Sequence, residues 1–194
     1  MTTLRISHRL VLAGLATLAL LVAGCGSSGS ESAVDKAAKQ AEKEAKNQKP
    51  VAEAAPIQAT VVKPTAGEAD INTKPKVPKG TGAAPTALKA ETLIPGTGAA
   101  IKSGQQATVQ YVGVLFKDGK EFDTSWGKGK QPFQFALGGG QVIPGWDQGV
   151  AGMKVGERRR LTIPSDLAYG AQGSPPKIPA NAPLIFDIDL KKIG

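Results

Sequence analysis

The second half of the chain is marked by alternation of apolar and polar residues. Thr108–Phe116 (TVQYVGVLF) is rich in Val, Tyr and Phe and reads as a strand. Asp118-Gly119 is a tight-turn signal, and Lys120–Asp123 begins the return strand. Phe133, Phe135 and Leu137 alternate as one buried face, which Gly138-Gly139-Gly140 interrupts. After Pro144, the residues Trp146, Val150 and Met153 fall at i, i+4 and i+7, the spacing of one short helix packed by an apolar stripe. Arg158–Ile163 reads as a further strand. In Leu184–Leu190 the pattern turns Leu184, Phe186, Ile188 and Leu190 inward and Asp187 and Asp189 outward, with Ile185 blurring the alternation. The expectation is an α+β domain over residues 86–194, an antiparallel sheet wrapped on one short helix.

The first half has no such pattern. Residues 1–24 carry Arg5 and Arg9, then an apolar run from Leu10 to Ala23. A membrane-spanning helix needs roughly 20 such residues, so the run is short and fits a signal peptide. Its end, Leu21-Val22-Ala23-Gly24-Cys25, looks like a bacterial lipobox, in which the Cys is acylated and becomes the mature N-terminus. The expectation is a protein lipid-anchored through Cys25, as by palmitate, on the extracytoplasmic face of a cell membrane. Residues 25–85 then read as a tether. Glu31–Lys49 is rich in Ala, Lys, Glu and Gln with almost no large apolar side chain, and six prolines lie between Pro50 and Pro85. That composition predicts an extended, disordered spacer whose last ten residues could lie on the domain.

Composition narrows the chemistry. The only His is His8 and the only Cys is Cys25, so the domain has neither imidazole nor thiol. A Ser-His-Asp triad, a Cys-His pair, a Cys/His zinc site and a disulfide are excluded there. No metal and no cofactor is expected. Ser125-Trp126-Gly127-Lys128 satisfies the S-x-x-K pattern of penicillin-recognising enzymes, but no Lys-Thr-Gly or Ser-Asp-Asn follows it. Arg158-Arg159-Arg160 and a net charge of +8 suggest attraction to anionic headgroups or wall polymers; an exported location argues against nucleic acid. Without heptads or a long exposed apolar stretch, a monomer is expected.

Several short motifs occur in order. They are Gln110-Tyr111-Val112-Gly113, Asp118-Gly119-Lys120-Glu121-Phe122-Asp123, Pro132-Phe133-Gln134-Phe135, Gln141-Val142-Ile143-Pro144-Gly145-Trp146, Ala168-Tyr169-Gly170, Ile178-Pro179-Ala180-Asn181 and Leu184-Ile185-Phe186-Asp187-Ile188. Together they resemble the FKBP-type peptidyl-prolyl cis-trans isomerases, over about residues 88–194. The resemblance implies a half-open antiparallel sheet with an apolar pocket between sheet and helix. It implies a pocket formed by Tyr111, Phe122, Phe133, Val142, Ile178 and Phe186, with Trp146 as the floor and Asp123 at the polar lip. The Ile143 N–H and the Tyr169 hydroxyl would be ligand donors. Proline-containing polypeptides and macrolide inhibitors such as rapamycin would be the ligands. Gln141 stands where the family often has an acid, and Lys128 and Lys130 are both candidates for a basic partner of Asp123. The implied activity is rotation about the X–Pro bond, assisting the folding of exported proteins; the alternative is a non-catalytic module that holds Pro-containing segments.

Overall fold

The computed structural model describes residues 57–64 and 68–194. The expected signal peptide, Cys25 and the Glu31–Lys49 run lie outside the described residues. The elements in order are β1 (Thr60–Val61), β2 (Lys89–Ile94), β3 (Gln106–Leu115), β4 (Glu121–Thr124), β5 (Phe133–Ala136), α1 (Pro144–Val150), β6 (Arg158–Ile163), a 3-10 turn (Ser165–Leu167) and β7 (Leu184–Ile193). The strands form one sheet in the order β1-β2-β6-β7-β3-β4, with β5 also paired to β3. Every pair is antiparallel except β1 with β2, which is parallel, so the sheet is mixed rather than wholly antiparallel.

The predicted strands sit within a few residues of their observed bounds. Helix α1 forms despite two glycines in seven residues, a composition too short and too weak to be helical alone. Packing decides it. A Cβ on Gly145 would stand 2.5 Å from Ile163 Cγ2, and one on Gly149 would stand 2.5 Å from Leu161 Cδ1, so both glycines let the helix lie directly on β6. Arg159 holds its far end, donating through Nη1 to the carbonyls of Gly149 (2.9 Å) and Ala151 (3.2 Å). These are the carbonyls a helix leaves unpaired at its C-terminus. The Arg159 guanidinium is itself fixed by Glu157, which also accepts from Thr92. Trp146, Val150 and Met153 are all buried, as their spacing predicts, although Met153 lies beyond the helix.

Two expectations fail together on the other face of the sheet. Asp187 and Asp189 do alternate away from the helix side, yet they are 0 % and 1 % exposed. In the β6–β7 register Arg158 lies opposite Asp189 and Arg160 opposite Asp187. Arg158 donates through Nε and Nη2 to the two oxygens of Asp189, at 2.6 and 2.7 Å. Arg160 grips Asp187 in the same way, at 2.7 Å for both bonds. The arginines are therefore internal partners of β7 and not a free basic stripe for headgroups or polymers.

What buries this layer is the segment expected to be spacer. Arg158 also donates to the carbonyls of Glu68 (2.8 Å) and Thr73 (2.9 Å), and Arg160 donates to the Glu68 carboxylate at 2.5 Å. Glu68 is 2 % exposed. Further along, Val77 packs with Phe116 and Trp126 on Val112, Val114 and Ile185, and the Gly80 N–H donates to the Phe116 carbonyl. Ile185 thus belongs to the same second face as the two aspartates, so the alternation of β7 is strict. Residues 57–64 and 68–85 are part of the folded unit, whose start precedes residue 86.

Candidate functional site

On the helix side of the sheet the aromatic rings form one graded cluster. Trp146 and Phe186 are 4 % exposed, Phe122 is 9 %, and Phe133 at the outer edge is 39 %. Trp146 is the hub. Its ring meets Tyr111 at 5.2 Å and Phe186 at 5.2 Å, both nearly perpendicular, and Phe133 at 6.2 Å. Edge-to-face contacts of this kind set positive ring edges against negative faces, which fixes orientation as well as burying area. Phe122 and Phe186 are likewise perpendicular at 5.5 Å. They fit because position 113 is glycine. A Cβ there would stand 2.6 Å from Phe186 Cε1 and 2.8 Å from Phe122 Cζ.

Backbone anchors hold the segment that carries Val142 and Ile143. The Asp147 carboxylate accepts from the N–H groups of Gly138 (2.8 Å) and Gly140 (3.2 Å). Gln141, in place of an acid, accepts from the Ala136 N–H at 3.0 Å. Ile143 is the residue before α1, and its carbonyl accepts from Trp146 and Asp147. Its N–H has no hydrogen-bond acceptor among the described residues, and neither does the Tyr169 hydroxyl have a partner there. The Trp146 indole N–H is also buried without a partner. The Trp146 and Ile143 donors belong to the packed core around the rings, and the Tyr169 hydroxyl lies in the field of Asp123 beside it.

Asp123 sits at the lip beside the rings. Its Oδ2 accepts the Tyr111 hydroxyl at 2.6 Å and its Oδ1 accepts the Thr124 N–H at 2.9 Å. Burial, the bond to Asp123 and its negative charge push the Tyr111 phenol well above its ordinary pKa. Burial first, then the Asp123 charge, raises that of Tyr169. Both phenols therefore remain neutral donors at any physiological pH. Neither lysine considered as a partner of Asp123 reaches it: Lys130 instead donates to the Thr124 carbonyl at 2.6 Å. The S-x-x-K serine is likewise a strut, with the Ser125 hydroxyl donating to Gln110 and accepting from the Tyr111 N–H.

The structure brings together Tyr111, Phe122, Asp123, Phe133, Val142, Ile143, Trp146, Ile178 and Phe186 around the same core, with Tyr169 in the field of Asp123. Two residues of the site are not among the pocket residues that the resemblance implies. Phe135, 1 % exposed, stacks on Phe133 and lies 5.7 Å from Trp146; the Phe-x-Phe alternation already signalled it. Asp147 acts at a distance of several residues on backbone N–H groups, for which no motif gives a sign.

Comparison with known proteins agrees with this geometry. Residues 98–191 match the family described as FKBP-type peptidyl-prolyl cis-trans isomerase. An "FK506-binding protein" of Streptomyces anulatus is 51 % identical over 118 residues, spanning 60 % of this chain and 94 % of that protein. "FK506-binding protein 4" of Dictyostelium discoideum is 54 % identical over 106 residues, 55 % of this chain. "Peptidyl-prolyl cis-trans isomerase FKBP2" of Homo sapiens is 53 % identical over 92 residues, 47 % of this chain. The chain spans only 28 % of the Dictyostelium protein and 63 % of the human one.

Proposed function

The chain belongs to the FKBP-type peptidyl-prolyl cis-trans isomerase family, and from that premise we propose that it accelerates rotation about X–Pro bonds in polypeptides. The observation that carries the reading is the ring cluster: apolar, graded from the buried Trp146 to the open edge at Phe133, with Tyr169 beside Asp123 at its lip, and provided with donors that no group among the described residues uses.

The chemistry asks for no bond to break. Amide resonance sets a barrier of about 18–20 kcal/mol, and X–Pro bonds cross it in tens to hundreds of seconds. The planar amide is the more polar species, because resonance places charge on its oxygen; the twisted amide has lost that polarisation. An apolar site therefore disfavours the planar state more than the twisted one, which is selective binding of the transition state. Trp146 is a flat, dry floor for the prolyl ring. The Ile143 N–H and the Tyr169 hydroxyl are donors for the carbonyl oxygens of the bound segment. Lowering the barrier by about 6 kcal/mol raises the rate on the order of 10⁴-fold. No titrating group takes part.

The direct test is cis-to-trans conversion of a Leu-Pro or Phe-Pro tetrapeptide with and without rapamycin. Turnover that rapamycin abolishes supports the reading. Binding of the peptide without any acceleration would show a module that only holds Pro-containing segments.

The setting we propose is the extracytoplasmic face of a membrane, where the enzyme assists the folding of exported proteins as a monomer. The support is the charged start, the short apolar run and the Leu21–Cys25 motif. Fractionation of Cys25→Ser tests it: the variant leaves the membrane fraction if the acylated Cys is the anchor, and stays if it is not.

A further inference from the structure

Strand β3 pairs two strands along one edge, β5 over Gln106–Val109 and β4 over Val112–Val114. Gln110 and Tyr111 fall in the gap between them, where the chain leaves the sheet after Thr124 and returns at Phe133. A cleft of about 420 Å³ occupies this split, walled by Thr124 and Ser125 on one side and by Pro132 and Phe133 on the other. The rings of Tyr111 and Phe133 line this cleft and also meet Trp146, at 5.2 and 6.2 Å.

The walls are set before any ligand arrives. The Tyr111 carbonyl accepts from the Thr124 hydroxyl (2.8 Å) and the Ser125 N–H (3.1 Å), and the Tyr111 N–H donates to the Ser125 hydroxyl at 2.8 Å. The loop back to β5 turns through Gly127 and Gly129, both at positive φ, and closes with the Lys130 N–H on the Gly127 carbonyl. Lys130 is the one charged side chain among the lining residues. Its ammonium spends one donor on the Thr124 carbonyl and keeps two. Asp123, the neighbouring acid, is occupied by the Tyr111 hydroxyl and the Thr124 N–H.

We propose that this cleft is a second subsite for the polypeptide, holding the side chain two or three residues away from the isomerised proline, and that Lys130 biases it toward Glu or Asp. The inference rests on the isomerase reading above. The two rings shared with the cleft lie 5.2 and 6.2 Å from Trp146, and an extended chain advances about 3.3–3.6 Å per residue, so reaching past them takes at least about two residues from the proline.

The test compares peptides that differ only in Glu, Gln or Lys at the second and third positions on either side of the proline, beside a tetrapeptide too short to reach the cleft. The expected order of kcat/KM is Glu, then Gln, then Lys, with Glu about two- to fivefold over Gln at low salt, the size of an exposed ion pair. The advantage shrinks as salt screens the charge. Lys130→Gln brings the Glu/Gln ratio to one, and Lys130→Arg, which keeps charge and donors, retains it. The ratio is read within each variant, so a general loss of activity does not imitate the effect. Equal rates for all three peptides in the unmodified protein, or an unchanged ratio in Lys130→Gln, overturn the subsite while tetrapeptide turnover stands. No turnover of the tetrapeptide overturns the isomerase reading, and the subsite falls with it.

Discussion

The Tyr111 hydroxyl donates to Asp123 Oδ2 across 2.6 Å, at the point where the aromatic cluster meets solvent. A phenol with its body against Trp146 and its tip on a carboxylate loses its proton reluctantly. Ionising it would bury a charge and set it against Asp123.

That reluctance is visible by alkaline titration, because Tyr111 and Tyr169 are the only two tyrosines in the chain. Both are held above the ordinary value of 10.0, Tyr111 by burial and then Asp123, and Tyr169 by burial and then the Asp123 charge. The phenolate absorbance of the native protein should remain low at pH 10, where the denatured protein is half ionised. The sign for stability follows. A folded-state pKa above the unfolded one means that the contribution of Tyr111 is complete below pH 10 and is lost as pH rises through the folded pKa. Tyr111→Phe should flatten the alkaline part of the stability curve. Native and denatured titrations that coincide would contradict the site as described.

Activity should be nearly level from about pH 6 to 9, since general acid–base catalysis would give a bell and rotation of an amide needs none. The check is kcat/KM for a Leu-Pro tetrapeptide across that range. A bell-shaped profile would mean that a titrating group is part of the reaction.

The ion pairs behind the sheet predict a strong asymmetry between single and double replacement. Arg158 and Asp189 are 0 % and 1 % exposed. Asp189→Leu leaves the guanidinium buried against the Glu68 and Thr73 carbonyls without a counter-charge, and should cost about 3–5 kcal/mol in chemical denaturation. Arg158→Met combined with Asp189→Leu removes both charges and should recover part of that loss. Recovery stays incomplete, because the two carbonyls then lack a donor. A double variant no better than the single one would show that the charges are not the source of the loss.

This layer also shows where a sequence stops being legible. The register of β7 was readable from period-two alternation, and Leu184, Phe186, Ile188 and Leu190 are all buried as that pattern requires. The same pattern says that Asp187 and Asp189 share a face, but not what lies on it. Only the return of a distant segment does that, and the segment around Glu68 looks like spacer because its bonds to Arg158 run partly through backbone carbonyls, which any residue type supplies. The pocket rings were legible because aromatic residues carry their role in their type. Asp147 was not, because its partners are the N–H groups of two glycines.

Gly113 links packing to the site. A methyl group there would meet Phe186 at 2.6 Å and Phe122 at 2.8 Å, so Gly113→Ala must displace rings that lean on Trp146. Overpacking of this kind costs about 1–3 kcal/mol. The ring shift should also raise KM for tetrapeptides. Denaturation and steady-state kinetics on one preparation check both; an unchanged KM in a destabilised variant would place Phe122 and Phe186 in the core alone.

Tyr169 should separate binding from stability. Its hydroxyl has no protein partner among the described residues, and the side chain is 39 % exposed. Removing an oxygen that bonds none of the described residues leaves none of them unsatisfied, so Tyr169→Phe should keep stability within about 0.5 kcal/mol. A ligand carbonyl that used the hydroxyl would lose one hydrogen bond, worth about 0.5–1.5 kcal/mol, so rapamycin binding should weaken by about two- to tenfold. Asp123→Ala acts on the other side of the lip, by releasing the Tyr111 hydroxyl. Combined with Tyr169→Phe it should reduce tetrapeptide turnover further than either change alone. Calorimetric titration with rapamycin, beside thermal unfolding of the same samples, gives both quantities. Unaltered affinity in Tyr169→Phe would remove the hydroxyl from the site, and the Ile143 N–H would then be the remaining donor at the mouth of the cluster.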